Sequence, residues 1–170
     1  MINNPLNESP WAFPVLEYLH ILGLICGVGT IALVDFRLLG VALTGKSAAR
    51  LWSDTLPWTA GGLSLVIFSG LLLFSINPDV YYFNYTFLFK MLMLALAILF
   101  YYTIVRKVAC KMDGLALPRG NDKIVATLSL TLWTLVLFGG IFIGLSATRP
   151  PAPTPPPTGV DFDEFLTPRK

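Results

Sequence analysis

The stretch Val15–Val34, with the sequence VLEYLHILGLICGVGTIALV, decides the fold of this chain. It is almost continuously apolar, and Glu17 and His20 are its ionisable residues. A helix needs about 20 such residues to cross roughly 30 Å of hydrocarbon. The stretch therefore predicts a transmembrane helix.

Three more stretches have the same character. They lie near Trp58–Ile76, Thr86–Val105 and Ile124–Leu145. All are continuously apolar, whereas a strand of a membrane barrel alternates apolar and polar residues over about ten positions. The chain is 55% hydrophobic and only 13% charged, which a water-soluble fold of this size could not accommodate. We predict an all-α membrane protein in which residues 1–147 form four transmembrane helices in an up-down bundle.

Prolines mark the expected ends of these helices. Pro14 and Pro57 suit a first helical turn, because proline lacks the N–H that is unbonded there anyway. Asn77-Pro78 and Arg149-Pro150 cannot continue a helix.

Basic residues between the spans predict the orientation, because basic loops stay on the cytoplasmic side. The N-terminal segment and the second connection contain no lysine or arginine. The first and third connections contain Lys46, Arg50, Arg106, Lys107, Lys111, Arg119 and Lys123. Both termini are therefore expected outside the cytoplasm. The basic third connection predicts contact with lipid headgroups rather than with nucleic acid.

Ionisable residues inside the spans are the candidates for function, because each costs free energy in hydrocarbon unless it pairs, snorkels or faces a polar interior. Glu17, His20 and Asp35 share one side of the first helix, which should face protein. Lys90 has the same predicted depth as Glu17 and His20. We predict a polar cluster of Glu17, His20 and Lys90, with an ion pair between Glu17 and Lys90. Snorkelling of Lys90 with Glu17 among the headgroups is the alternative.

The cytoplasmic end of the first helix carries Asp35 and Arg37, for which we predict a local ion pair or cap. Small residues predict how the helices pack, since they allow close backbone approach in a membrane. The pairs are Gly23 with Gly27 and Gly140 with Gly144. Further small residues of this kind are Gly61, Gly62, Ser69 and Gly70 in the second helix and Thr127, Thr131 and Thr134 along one side of the fourth.

The two cysteines, Cys26 and Cys110, have different predicted depths and are not expected to form a disulfide. The sequence contains no metal-binding cluster and no recognised catalytic motif. We therefore predict no metal and no catalytic residue.

Residues 148–170 form a tail of different composition. It begins with the proline-rich run Arg149-Pro-Pro-Ala-Pro-Thr-Pro-Pro-Pro-Thr, which favours an extended polyproline II conformation. Alternating acidic and apolar residues follow, as in short docking segments. The predicted docking residues are Pro150, Pro151, Pro155, Phe162 and Phe165.

Five short motifs occur in order: Trp11-Ala-Phe-Pro14, Glu17-x-x-His20, Asp35-Phe-Arg37-Leu-Leu-Gly40, Pro57-Trp58 and Phe87-x-x-Lys90-Met91. In these residues the chain resembles an uncharacterised family of small bacterial four-helix membrane proteins. That resemblance implies architecture but no reaction. Together with the basic loops, it predicts a location in the bacterial inner membrane with both termini on the periplasmic side. In layout the chain is more distantly similar to CopD-type copper-resistance proteins and to four-helix b-type cytochromes. It departs from bis-histidine haem proteins because His20 is its only histidine.

Three functions remain open from the sequence. The first is an accessory or scaffolding subunit of a larger membrane complex, which docks a partner through its outer face and tail. The second is an electron-transfer subunit that binds haem b or quinone near Glu17 and His20, with His20 as a ligand. The third is a small oligomeric transporter that uses Glu17, Asp35 and Lys90.

Overall fold

Four long helices make up the protein. The computed structural model describes residues 9–76, 78, 81, 84–112 and 114–147, with side chains up to residue 143. The helices are α1 (Ala12–Leu39), α2 (Ala48–Ile76), α3 (Tyr85–Lys111) and α4 (Gly120–Ala147). Each contains an apolar stretch long enough to cross a bilayer, so the predicted all-α membrane fold is confirmed. The connections α1–α2 and α3–α4 share one end of the bundle, which we call the loop end; the opposite end is the terminal end.

Helix α1 ends in a left-handed glycine cap. Gly40 has φ +76°, and its N–H donates to the carbonyl groups of Phe36 and Arg37. A Cβ atom at Gly40 would lie 2.8 Å from Cγ of Pro118, so the α3–α4 connection packs directly on this turn. Glycine is needed here for its conformation and for its small size.

Helix α2 begins well before the turn that Pro57 predicts. Its first residue is Ala48, and Pro57 lies inside the helix. The early part of the helix forms because Ala48, Leu51 and Trp52 are buried in the core. Because proline has no N–H, one carbonyl of the preceding helical turn has no hydrogen-bond donor. Pro57 is exposed, so this carbonyl is not forced into the core.

Helix α3 contains a π-helical turn. Its first segment is the α-helix Tyr85–Phe100, the turn is Tyr101–Val105, and the α-helix resumes at Arg106–Lys111. Tyr101 and Val105 are both buried, as is Ala109 one turn later. The wider turn keeps these residues on the face that packs against the bundle.

Helices α1 and α2 approach most closely where glycine meets glycine. A Cβ atom at Gly62 would collide with the backbone nitrogen of Gly27 and lie 2.9 Å from the carbonyl oxygen of Gly23. A Cβ atom at Gly23 or Gly27 would lie 3.0 Å from backbone atoms of α2. Van der Waals contact between the two backbones therefore holds α1 against α2.

The apolar core is largest towards the loop end. There the ring centroids of Trp52 and Tyr101 lie 4.6 Å apart, and Val105 and Ala109 are fully buried. At the terminal end, the rings of Phe74, Tyr81 and Phe87 pack with centroid distances of 5.5–6.0 Å.

The outward faces are apolar, as a bilayer requires. On α3 this face carries Leu88, Met91, Leu92, Leu96 and Leu99, all exposed. In water this surface would favour aggregation, whereas lipid chains solvate it. The chain is thus a multi-pass membrane protein.

Candidate functional site

His20 is fixed on α1 by a side-chain hydrogen bond to α2. Its Nδ1 atom lies 3.0 Å from Oγ of Ser69, and the ring lies against Gly70, where a Cβ atom would be 3.2 Å from Cε1. The Ser69 hydroxyl donates to the carbonyl of Leu65 at 2.6 Å. Because a hydroxyl has one proton, the His20 Nδ1–H must be the donor to Ser69. In this tautomer Nε2 carries the lone pair of the ring, and no hydrogen-bond donor lies on it among the residues that the structure describes.

Lys90 lies along α4 at the same level. Cβ atoms placed on Gly139 and Gly140 would lie 3.1 Å from Cβ and 3.3 Å from Nζ of Lys90, respectively. The two glycines therefore make room for the lysine side chain, and Gly140 borders its ammonium group. Lys90 is also close enough to His20 for its charge to act on the imidazole. We call His20, Ser69, Gly70 and Lys90 the His20 site.

Glu17 does not face the interior as predicted. It is exposed, and within the described residues it forms no ion pair with Lys90. Glu17 and Asp35 are separated by five full turns of α1 and so share one angular position. Asp35 is buried because Ser129 of α4 lies beside it, whereas Glu17 is near the start of its helix. Glu17 acts instead on Tyr81, between α2 and α3: burial raises the pKa of Tyr81, and the charge of Glu17 raises it further.

Asp35 is the most unusual residue of the bundle. It is 0% exposed, and neither carboxyl oxygen has a hydrogen-bond partner in the described structure. It lies beside Ser129 of α4, close enough for the hydroxyl to interact with the carboxyl, although the two side chains do not form a hydrogen bond of regular geometry. A buried polar group without a partner costs about 1–3 kcal/mol, and a charged one costs more.

Two aromatic residues extend this polar region. Tyr101 of α3 is 1% exposed, is close enough to Asp35 for electrostatic interaction, and lies near Thr55 and Thr59 of α2. Trp133 follows Ser129 by one turn of α4 and is 2% exposed. The Tyr101 hydroxyl and the Trp133 indole N–H also complete no hydrogen bond of regular geometry in the described structure. We call Asp35, Tyr101, Ser129 and Trp133 the Asp35 cluster.

Arg37 binds the two connections at the loop end. It is 1% exposed, and its Nε and Nη2 atoms donate to the carbonyl oxygens of Lys46 at 2.6 Å and Ala116 at 3.2 Å. In the part of the chain described, the guanidinium is not a hydrogen-bond partner of Asp35. Arg37 thus caps loop carbonyls of the α1–α2 and α3–α4 connections.

The threonines of α4 were expected to pack between helices, but Thr127, Thr131 and Thr134 are exposed. Each donates to the carbonyl four residues earlier, at 2.7–2.9 Å, and so satisfies its hydroxyl within its own helix. The sequence pattern singled out Asp35 but did not predict the other members of the Asp35 cluster. The signal was Ser129 and Trp133 at helical spacing, on the same face as the buried Ala126 and Val136.

Some predicted residues cannot be placed. Gly144 is described by its backbone alone. The tail, with its predicted docking residues Pro150, Pro151, Pro155, Phe162 and Phe165, lies outside the described residues.

In the part of the chain that the structure describes, no group of three or more His, Cys, Asp or Glu side chains is placed to hold a metal ion. Cys26 and Cys110 are both free.

Comparison with known proteins places the chain in a family without assigning it a reaction. No curated protein and no solved structure matches it. A family model described as a family of unknown function, DUF6644, matches residues 14–146, which include all four helices almost completely. The chain therefore belongs to DUF6644, a family of unknown function.

Proposed function

We propose that this chain is an accessory subunit of a larger assembly in the bacterial inner membrane, with both termini on the periplasmic side. The observation that carries the proposal is an uncovered face of small residues on α2. Ala60, Gly61 and Ser64 are exposed there, within the apolar stretch of the helix. Larger exposed side chains follow on the same side of α2, at Phe68 and Leu71, so the three small residues form a depression in the apolar surface.

The hydroxyl of Ser64 distinguishes this face from ordinary lipid-facing surface. The exposed Thr103, Thr127, Thr131 and Thr134 donate to carbonyls of their own helices. Ser64 has no such bond in the described structure, although a hydroxyl in hydrocarbon is costly without a partner. A transmembrane helix of another subunit would cover the small residues and accept from Ser64. Small residues and interhelical hydrogen bonds are the usual basis of helix association in membranes.

A single substitution tests this docking face. A Cβ atom at Gly61 would meet no atom within 4 Å, so Gly61→Leu leaves the bundle itself undisturbed. Purification in mild detergent, followed by native mass spectrometry, should detect a wild-type complex with a different membrane protein. Gly61→Leu should release that protein, because the leucine occupies the place of the partner backbone.

The matched control is Ala95→Leu, which enlarges an exposed residue on the lipid-facing side of α3. It should retain the partner. A complex that survives Gly61→Leu, or one that contains only copies of this chain, would contradict the proposal.

A second function is supported by the free Nε2 atom of His20. A histidine whose other nitrogen is fixed by a hydrogen bond is oriented as ligating histidines are. The nearby ammonium of Lys90 disfavours a cationic haem iron at this position. A quinol fits better, because its hydroxyl can donate to Nε2 and the carbonyl of the quinone can accept from Lys90.

The two cofactors are distinguished by simple measurements on the purified protein. A quinone subunit should yield quinone on solvent extraction, and His20→Asn should lower the yield while Glu17→Gln leaves it unchanged. A haem absorbance spectrum lost in His20→Asn would instead establish haem. A preparation with neither cofactor would refute this second function and leave the accessory role intact.

A further inference from the structure

The Asp35 cluster contains more unbonded polar groups than a closed helix bundle would retain. The two carboxyl oxygens of Asp35, the hydroxyls of Tyr101 and Ser129 and the indole N–H of Trp133 complete no hydrogen bond of regular geometry in the described structure, although Ser129 lies beside Asp35 and Thr59 beside Tyr101. All four side chains are at most 2% exposed. Buried polar groups are normally hydrogen-bonded to protein or to ordered water. The cluster therefore has the properties of a binding site.

The types of polar groups indicate what binds there. The Asp35 oxygens are acceptors when ionised, the hydroxyls donate and accept, and the indole N–H only donates. A metal cation would bind the oxygens and leave the indole N–H unsatisfied. An anion would accept from the donors but would meet the Asp35 carboxyl. Water both donates and accepts, and so satisfies every member of the set.

The charges around Asp35 indicate its protonation state. The titratable side chain near it on α3 is Tyr101, which has Thr55 and Thr59 of α2 beside it, and the neutral Ser129 of α4 lies beside Asp35 itself. Arg37, on the same helix, donates to loop carbonyls rather than to Asp35. An ionised carboxylate buried without a counter-ion is strongly disfavoured, whereas a neutral acid can also donate a hydrogen bond. We propose that the Asp35 cluster is a proton-binding site in which water molecules surround a protonated Asp35.

This site is independent of the proposed docking face. It lies inside the bundle, where α1, α3 and α4 meet, whereas Gly61 and Ser64 face outwards on α2. A proton and bound water at this position would stabilise the contacts among the three helices. Release of the proton would leave a charge in the core and would weaken those contacts.

Infrared spectroscopy of the full chain in lipid nanodiscs tests the proposal directly. The difference between wild type and Asp35→Asn at neutral pH should contain the C=O band of a protonated carboxylic acid. Glu17→Gln, which changes an exposed carboxylate on the same helix, should not remove that band. Ser129→Ala and Tyr101→Phe should each shift its frequency, because they alter the hydrogen bonding around Asp35. Loss of an ionised carboxylate band in Asp35→Asn would overturn the proposal.

Thermal unfolding tests whether the cluster is occupied. Asp35→Asn keeps the hydrogen-bonding capacity and should shift Tm by less than about 3 °C. Asp35→Leu should lower Tm more, because the water molecules lose a partner. In an empty cluster Asp35→Leu would raise Tm by removing unbonded oxygens, and that result would overturn the proposal. Sodium or potassium could also be tested for an effect on Tm. A rise of the wild-type Tm that Asp35→Asn abolishes would show that the cluster binds a cation rather than a proton, and would overturn the proposal.

Discussion

Gly62→Ala should destabilise the bundle strongly, although it adds only one methyl group. The added Cβ atom would lie 2.7 Å from Cα of Gly27, whereas ordinary van der Waals contact begins at 3.4 Å. The added atom would lie closer still to the backbone nitrogen of Gly27, so the backbones of α1 and α2 would have to separate by at least roughly 0.7 Å at this point, with loss of contact along their seam. Overpacking of this kind costs about 1–3 kcal/mol. A loss of that size corresponds to a Tm lower by roughly 2–12 °C.

The adjacent residue supplies the control. Gly61→Ala makes the same chemical change in the same helix, but its Cβ atom meets nothing within 4 Å. It should not lower the free energy of unfolding, because alanine is favoured over glycine in a helix interior by roughly 0.5–1 kcal/mol. Both variants should be unfolded in detergent micelles by heat and by titration with a denaturing detergent. Equal stabilities for Gly62→Ala and Gly61→Ala would refute the close glycine contact between α1 and α2.

Two further predictions concern residues at the ends of the bundle. Arg37→Gln should lower the free energy of unfolding by about 3 kcal/mol, because each lost charge-assisted hydrogen bond contributes about 1.5–3 kcal/mol. The same change should make the α1–α2 and α3–α4 connections more sensitive to protease. The exposed Arg50→Gln is the control, and equal proteolysis of the two variants would contradict the capping role. Because burial raises the pKa of Tyr81 above 10.0, its contribution to stability is present below pH 10.0 and is lost as the pH rises through the higher pKa of the folded state. Tyr81→Phe should flatten the alkaline fall of stability in pH-dependent unfolding, and an alkaline fall as steep as that of the wild type would contradict this prediction.

The membrane fold was predictable because it depends on a property that is local in sequence. Val15–Val34 is long and apolar enough to span a bilayer without reference to any other residue. The start of α2 was less predictable, since Pro57 resembles a helix start and the helix before it is stabilised by the burial of Leu51 and Trp52. That burial is a tertiary property, and Pro57 alone does not reveal it.

The candidate sites were partly predictable for the same reason. The cost of ionisable groups in hydrocarbon singled out His20, Asp35 and Lys90, but it did not tell which neighbours would surround them. Glu17 and Asp35 share one angular position on α1, and only the packing of α4 makes one exposed and the other buried. Neutral residues such as Ser129 carry no such signal in a sequence. They become noticeable once their hydroxyl is seen to be buried without a partner.

The π-helical turn at Tyr101–Val105 makes the length of α3 as important as its composition. A π-turn holds one residue more than an α-turn in about the same rotation, so the residues after it keep the phase of a regular helix that is one residue shorter. Deletion of Thr103 would remove the extra residue and would leave Ala109 in the core and the basic segment Arg106–Lys111 on its side of the bundle. A one-residue deletion in a regular part of α3 would instead rotate every later residue by about 100° around the axis. The π-helical turn is therefore the place in α3 where a one-residue deletion should be tolerated best.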